Sequence, residues 1–109
     1  PKPMAVVVPV QESALERACV AWARDRGILV TKNDTRANAG VPDRVFWLPG
    51  GRPLVVEFKR EGEAVKPGSV QEGILHHLVR EGYYAAAVDT FEEFVAYATA
   101  MINRKGGRR

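Results

Sequence analysis

Charged side chains stand inside the most apolar part of this sequence. Residues 40–59 have the pattern of a tight turn, an apolar strand, a Pro-Gly-Gly-Arg-Pro turn and a second apolar strand. Asp43, Glu57 and Lys59 interrupt this otherwise core-like segment. Because an unpaired charge in a buried strand is strongly destabilising, such side chains are expected to be paired or to hold a metal ion. This combination constrains the chain more than any other feature.

Alternation of side chains along the second strand places two of these charges on the same face. Side chains two residues apart on a strand point to the same face, so Glu57 and Lys59 project together while Val56 and Phe58 face the other way. A hairpin would bring Asp43, at the head of the preceding strand, near Glu57. Two carboxylates and an amine at one place predict a site for a hard divalent cation and an activated water. The alternative is an exposed ion pair with Asp43 only capping a turn, but both faces of the strands are otherwise apolar, which favours the site.

The order of these residues resembles a known nuclease family. Pro42-Asp43, followed after a hairpin by Glu57-Phe58-Lys59, is similar to the PD-(D/E)xK nuclease signature. The wider series runs from a glutamate in the first helix through Gly40-Val41-Pro42-Asp43 and Glu57-Phe58-Lys59 to Gln71. It spans roughly residues 12–90 and resembles the stand-alone VRR-NUC domains of phage and bacteria, which are related to Holliday-junction resolvases.

The resemblance implies a fold and roles for individual residues. The fold is an α/β (α+β) restriction-endonuclease-like core, with a mixed β-sheet flanked by helices in the order αβββαβα. Asp43 and Glu57, with the backbone carbonyl of Phe58, would hold Mg²⁺ or Mn²⁺, and Lys59 would orient the attacking water or stabilise its hydroxide. The family places a glutamine where Gln71 begins the inward stripe of a helix. A bond from this amide to nearby backbone is the alternative.

The first helix, predicted over residues 11–26 and ended by Gly27, carries two candidates for a further metal-site carboxylate. Glu16 is favoured because none of its neighbours at i+3, i+4 and i+7 is a Lys or Arg that could pair with it. The resembled family also places a glutamate at this distance before the glycine. Glu12, one turn earlier, is the rival. A third interpretation is that Ser13 and Glu16 form only a capping box.

Composition permits nucleic acid as the partner. The net charge is +3, with 27% charged and 46% hydrophobic residues, which is ordinary for a globular domain. Cys19 is the single cysteine, so neither an intramolecular disulfide nor a Cys-based zinc site can form. The adjacent His76 and His77 point about 100° apart on a helix and cannot chelate one ion together. The basic side chains predicted to contact DNA are Lys32, Arg36, Arg44, Arg60 and Lys66.

Length and patterning suggest the domain plan and the compartment. The 109 residues predict an N-terminal arm at 1–10, a single nuclease domain over 11–103 and a basic tail at 104–109. No apolar run reaches the roughly 18 residues that a membrane span requires, so no membrane association is expected. Together with the single cysteine, this predicts a cytoplasmic protein, in a bacterial cell or a phage-infected host.

The predicted function combines these inferences. Stand-alone relatives of this type look like homodimers that cut Holliday junctions, so the resemblance implies metal-dependent hydrolysis of phosphodiester bonds in branched DNA by a homodimer. One alternative is a general, flap-processing or nick-processing nuclease without junction preference. Another is a non-catalytic DNA-binding module. The presence of Asp43, Glu57 and Lys59 in one chain argues against the second alternative, because a binding module has no need of a buried acid pair.

Overall fold

The computed structural model describes residues 9–104. The elements follow the order αβββαβα, as the sequence predicts. They are α1 Glu12–Asp25, β1 Leu29–Lys32, β2 Arg44–Leu48, β3 Arg52–Phe58, α2 Val70–Arg80, β4 Tyr84–Val88 and α3 Phe91–Ile102. Residues 1–8 of the predicted arm and residues 105–109 of the predicted tail lie outside the described residues.

The four strands form one mixed sheet in the order β1-β2-β3-β4. The pairs β1/β2 and β2/β3 are antiparallel, whereas β3 and β4 are parallel. A parallel pair needs a crossover connection, and α2 supplies it. All residues of β3 from Leu54 to Phe58 are buried, because helices cover both faces of this central strand.

The two faces of the sheet have different roles. On one face, Phe46 and Phe58 pack against Phe94 of α3, with ring centroids 4.7 Å and 6.5 Å apart, and α1 completes this core. Such aromatic contacts add to the hydrophobic burial. On the other face, Val55 and Glu57 point toward α2. Glu57, the buried charged residue of this strand, is therefore held between the sheet and a helix.

The helix ends agree with the sequence at most positions. Gly27 ends α1 with a φ of +74°, the left-handed conformation predicted for it. Ser69 and Thr90 cap α2 and α3 by accepting from the N–H groups of Glu72 and Glu93. The capping-box interpretation of Ser13 and Glu16 is wrong, because α1 already begins at Glu12 and Ser13 lies inside its first turn. Within residues 9–104, no helix is both long enough and apolar enough to cross a membrane.

Candidate active site

The β2–β3 hairpin brings Asp43 to the end of β3. Arg44 pairs with Val56 in the antiparallel register, so the residue before Arg44 lies beside the last residues of β3. Asp43 Oδ2 accepts a hydrogen bond of 2.9 Å from the backbone N–H of Phe58. This bond holds the Asp43 carboxylate next to Glu57, as the sequence predicts for the hairpin.

Glu57, Lys59 and Gln71 form a connected group on the α2 side of the sheet. Lys59 Nζ donates to Gln71 Oε1 at 2.8 Å, and Gln71 Nε2 donates to Glu57 Oε2 at 3.0 Å. Lys59 Nζ also lies 3.7 Å from Glu57 Oε2. Both ends of the Gln71 amide are therefore bonded to side chains. The inward orientation predicted for Gln71 is confirmed, and the alternative of a bond to nearby backbone is not needed.

Burial disfavours the negative charges of Asp43 and Glu57 more than their neighbours stabilise them. Only 4% of Glu57 is exposed, and burial together with the nearby Asp43 carboxylate raises the pKa of Glu57 to about 7. Burial also raises the pKa of Asp43, although its hydrogen bond from Phe58 opposes the shift. The ammonium of Lys59 lowers both pKa values but does not reverse either shift. The site therefore favours an additional positive charge.

The two glutamates of α1 have different surroundings. Glu16 Oε2 lies 2.6 Å from Arg44 Nε, and the two side chains are only 21% and 19% exposed. Glu16 thus has a cationic partner that comes from β2 rather than from its own helix. The pKa of Glu12 is raised by partial burial and then by the Asp43 carboxylate, so Glu12 also lies within electrostatic range of the site. Which of the two would complete a metal site stays a prediction.

The carboxylates of Asp43 and Glu57 fit a hard divalent cation whose remaining ligands are waters and substrate phosphates. Among residues 9–104, no group of three or more His, Cys, Asp or Glu side chains is arranged to hold a metal ion. Mg²⁺ is commonly bound through one or two carboxylates, with waters and substrate phosphates as the other ligands. Asp43 and Glu57 supply this minimum, and burial, the main cause of their raised pKa values, disfavours their negative charges, which a bound cation would compensate. The predicted role of the Phe58 carbonyl stays a prediction.

The predicted DNA contacts lie at different distances from this group. Lys32 is near enough to Asp43 for its charge to lower the pKa of that carboxyl. Arg44 Nε donates to Glu16, and this bond leaves the terminal nitrogens of the guanidinium as further donors. Arg36 is exposed, 3.6 Å from Asp34 in the β1–β2 loop. Two further basic residues are exposed in the loop between β3 and α2, and they are Arg60 and Lys66.

The sequence interpretation missed one neighbour of Asp43. Asn33 follows β1 directly, and both its backbone N–H and its side chain contact the turn that carries Asp43. In the sequence it belongs to a polar segment and is not distinguished from Asn38, which is exposed. The one available signal is its place at the junction of strand and loop, where Asn side chains often bond to backbone.

Comparisons with known proteins show a sequence relative and two solved structures with the same fold. No protein-family model matches the chain. Over 63 residues, the chain is 33% identical to "Putative nuclease p44" of Acyrthosiphon pisum secondary endosymbiont phage 1, and the match covers 58% of this chain and 68% of that protein. A solved structure described as "VRR_NUC domain" matches with a TM-score of 0.70 and 21% identity, over 86% of this chain and 97% of its own.

A second solved structure, described as "VRR_NUC domain protein", matches equally well. Its TM-score is 0.70 at 18% identity, over 87% of this chain and 90% of its own. The two structures show the fold, and the phage relative shows shared ancestry in sequence. The chain belongs to the VRR-NUC domain family.

Proposed function

We propose that this chain is a divalent-metal-dependent DNA endonuclease of the PD-(D/E)xK type. The family and the name of the phage relative support a nuclease. The metal dependence and the reaction type rest on the site. One observation carries them, namely a buried carboxylate, Glu57, and a partly buried one, Asp43, beside an amine that Gln71 holds in place. This donor and charge pattern suits metal-assisted hydrolysis of a phosphodiester.

The residues divide the chemistry between them. A bound Mg²⁺ or Mn²⁺ would supply Lewis-acid polarisation of the phosphoryl group and make water a stronger acid. Asp43 and Glu57 would hold this cation. Lys59 keeps its ammonium within 3.7 Å of Glu57, where it can orient the attacking water and stabilise negative charge that develops on it. Gln71 fixes Lys59 and Glu57 relative to each other through its two hydrogen bonds.

We further propose that the substrate is branched DNA, specifically a four-way Holliday junction. Residues 9–104 form one sheet with three helices and include no second module that could read a base sequence. Recognition is then expected to depend on DNA shape and on phosphate contacts. The basic residues at the end of β1 and on the two loops beside the site would make those contacts, and they are Lys32, Arg36, Arg60 and Lys66.

A homodimer would suit this substrate, because two sites related by a two-fold axis can cut paired strands. The exposed residues of one region favour association with a second copy. Tyr83, Tyr84 and Tyr97 are each at least 36% exposed, and they line a groove of about 530 Å³ beside β4. β4 is the last strand of the sheet, so its outer edge is not paired within the described part of the chain.

The decisive experiment compares a labelled four-way junction with a matched linear duplex, in Mg²⁺, in Mn²⁺ and in chelator. Paired, metal-dependent nicks in the junction alone are the expected result. Cleavage of both substrates would instead assign a general nuclease. Binding without cleavage under every metal would overturn the proposed enzyme and leave a DNA-binding module. Light scattering at micromolar concentration tests the dimer separately, and a monomer would exclude it.

A further inference from the structure

Asn33 contacts the chain on both sides of Asp43. Its side-chain Nδ2 donates to the Pro42 carbonyl at 2.8 Å. Its backbone N–H donates to the Asp43 carbonyl at 2.9 Å. One residue at the end of β1 therefore bonds both peptide groups that flank the Asp43 Cα atom.

These two bonds set the direction of the Asp43 side chain. The orientation of the peptide planes before and after a residue fixes its φ and ψ, and so fixes the direction of its Cα–Cβ bond. Asp43 lies just before β2, and its carbonyl accepts the Asn33 N–H bond that follows the last residue pair of β1 and β2. The Asn33 side chain supplies the constraint that the ladder lacks on the Pro42 side. The carboxylate then reaches the Phe58 N–H at 2.9 Å.

We infer that Asn33 is a positioning residue, which orients the turn before β2 so that the Asp43 carboxylate meets the end of β3 beside Glu57. The kinetic consequence of this inference rests on the proposed nuclease function. Asn33 does not touch the carboxylate itself; it acts on the backbone that carries it. The side chain is partly buried, so the bond to Pro42 is shielded from competing water.

Three variants of the whole chain test the inference. Asn33→Ala removes the donor, and Asn33→Leu keeps the branched shape without a donor. Asn38→Ala is the matched control, because Asn38 is exposed in the same loop and no side-chain hydrogen bond involves it among residues 9–104. On four-way-junction DNA, both Asn33 variants are expected to lose about 10- to 100-fold in kcat, since a misplacement near 1 Å can cost about 100-fold.

The pattern of the losses separates positioning from general damage. KM for DNA should stay within about twofold, because phosphate contacts are untouched, while the half-saturating Mg²⁺ concentration should rise several-fold. The Asn38→Ala variant should match the wild-type chain in all three quantities. Wild-type kcat and Mg²⁺ dependence in the Asn33 variants would overturn the inference. So would equal losses in Asn38→Ala.

A second readout needs no activity. The amide of Phe58 is bonded to the Asp43 carboxylate, so NMR hydrogen exchange at that amide reports the carboxylate position. Both Asn33 variants should accelerate exchange at Phe58 about tenfold and leave the Val56 amide of the same strand unchanged. Unchanged exchange at Phe58, or equal acceleration at Phe58 and Val56, would overturn the inference. A wild-type chain that cuts no DNA would remove the proposed function, and the exchange data would still decide the role of Asn33.

Discussion

Gln71 Nε2 lies 3.0 Å from Glu57 Oε2, and this hydrogen bond joins α2 to β3 at the candidate site. The other end of the amide accepts from Lys59 Nζ. Glu57 is therefore oriented by a neutral donor and approached by an ammonium at 3.7 Å. Its pKa is nevertheless raised to about 7, chiefly by burial. The carboxyl group is held in place and its charge is only partly compensated by Lys59, so a bound cation would compete with the proton for it.

Replacement of Gln71 by Ala should slow cleavage without weakening DNA binding. The change deprives Lys59 of its acceptor and Glu57 of its donor. We expect kcat to fall about 10- to 100-fold while KM for DNA changes by less than about threefold, because positioning and not substrate contact is lost. Gln11→Ala is the control, since Gln11 is exposed and makes no side-chain cap bond at α1. Equal losses in the two variants would contradict this role for Gln71.

Asp43→Ala and Lys59→Ala should each abolish cleavage and leave folding largely intact. Loss of a metal-holding carboxylate or of the ammonium beside the attacked group is expected to reduce kcat by about 1,000-fold or more. Single-turnover cleavage of a labelled junction measures the effect, and fluorescence anisotropy in Ca²⁺ measures binding. Asp25→Ala is the control, because Asp25 is an exposed carboxylate at the last residue of α1 and belongs to neither the site nor the loops beside it. Substantial cleavage by either site variant would exclude the role assigned to that residue.

The metal-free protein should lose stability as the pH rises from about 4.5 to 7. The pKa of Glu57 is raised from 4.5 to about 7, so the folded state binds the proton more tightly than the unfolded state does. The stabilisation is complete below pH 4.5 and is lost as the pH rises through about 7. Its size is on the order of 3 kcal/mol. The raised pKa of Asp43 acts in the same direction. Urea unfolding between pH 4 and 8, in chelator, measures the slope.

Glu57→Gln supplies the comparison for this slope. The amide cannot ionise, so the variant should be more stable than the wild-type chain at pH 8 in chelator and less dependent on pH. It should also fail to cleave DNA. Added Mg²⁺ should stabilise the wild-type chain more at pH 8 than at pH 5, since the cation competes with the proton. Parallel pH curves for the two proteins would show that Glu57 is not the titrating group.

Local patterns in the sequence predicted correctly that Asp43, Glu57 and Lys59 lie close together. The period of two along β3 separates Glu57 and Lys59 from Val56 and Phe58, and the structure buries Val56 and Phe58 in the core. Proximity along a hairpin placed Asp43 near Glu57 for the same reason, because a short turn leaves little freedom in the register. These features depend on residues that are close in sequence.

The surroundings of the two α1 glutamates could not be predicted in this way. Glu16 and Arg44 are 28 residues apart, and their contact depends on how α1 packs across the sheet. A search along the helix for a partner at i+3 or i+4 finds no cation and so makes Glu16 look unpaired. Tertiary packing supplied the partner from β2 instead. The contact of Asn33 with Pro42 escaped prediction for the same reason.

A double-mutant cycle on Glu16 and Arg44 should reveal strong coupling. Both side chains are about one-fifth exposed, so removal of either leaves a partly buried charge without its partner. We expect Glu16→Ala and Arg44→Ala each to lower the free energy of unfolding by about 2 kcal/mol, intermediate between surface and buried pairs. The double variant should be less destabilised than the sum by roughly 1 kcal/mol. Urea denaturation measures all four proteins, and additive losses would show that the pair is not coupled.

Gly40→Ala should be more harmful than the same change at another glycine of similar conformation. Gly40 has a φ of +86°, and a Cβ there would lie 2.5 Å from Val70 Cγ1 of α2. Gly62 has a φ of +89° with open space around it, so Gly62→Ala tests the backbone strain alone. Strain costs about 1–2 kcal/mol, and the clash at Gly40 should add roughly 1–3 kcal/mol. Thermal unfolding of both variants measures these losses of stability. Equal losses would mean that α2 shifts to make room for the added methyl group.

The β1–β2 loop is held at both ends. Asn33 bonds to the turn that carries Asp43, and Gly40 packs against α2. The loop residues 34–39 between these two contacts bond mainly among themselves. Residues 34–39 are therefore held independently of the two carboxylates, and an exchange of these residues is expected to leave Asp43 and Glu57 in place.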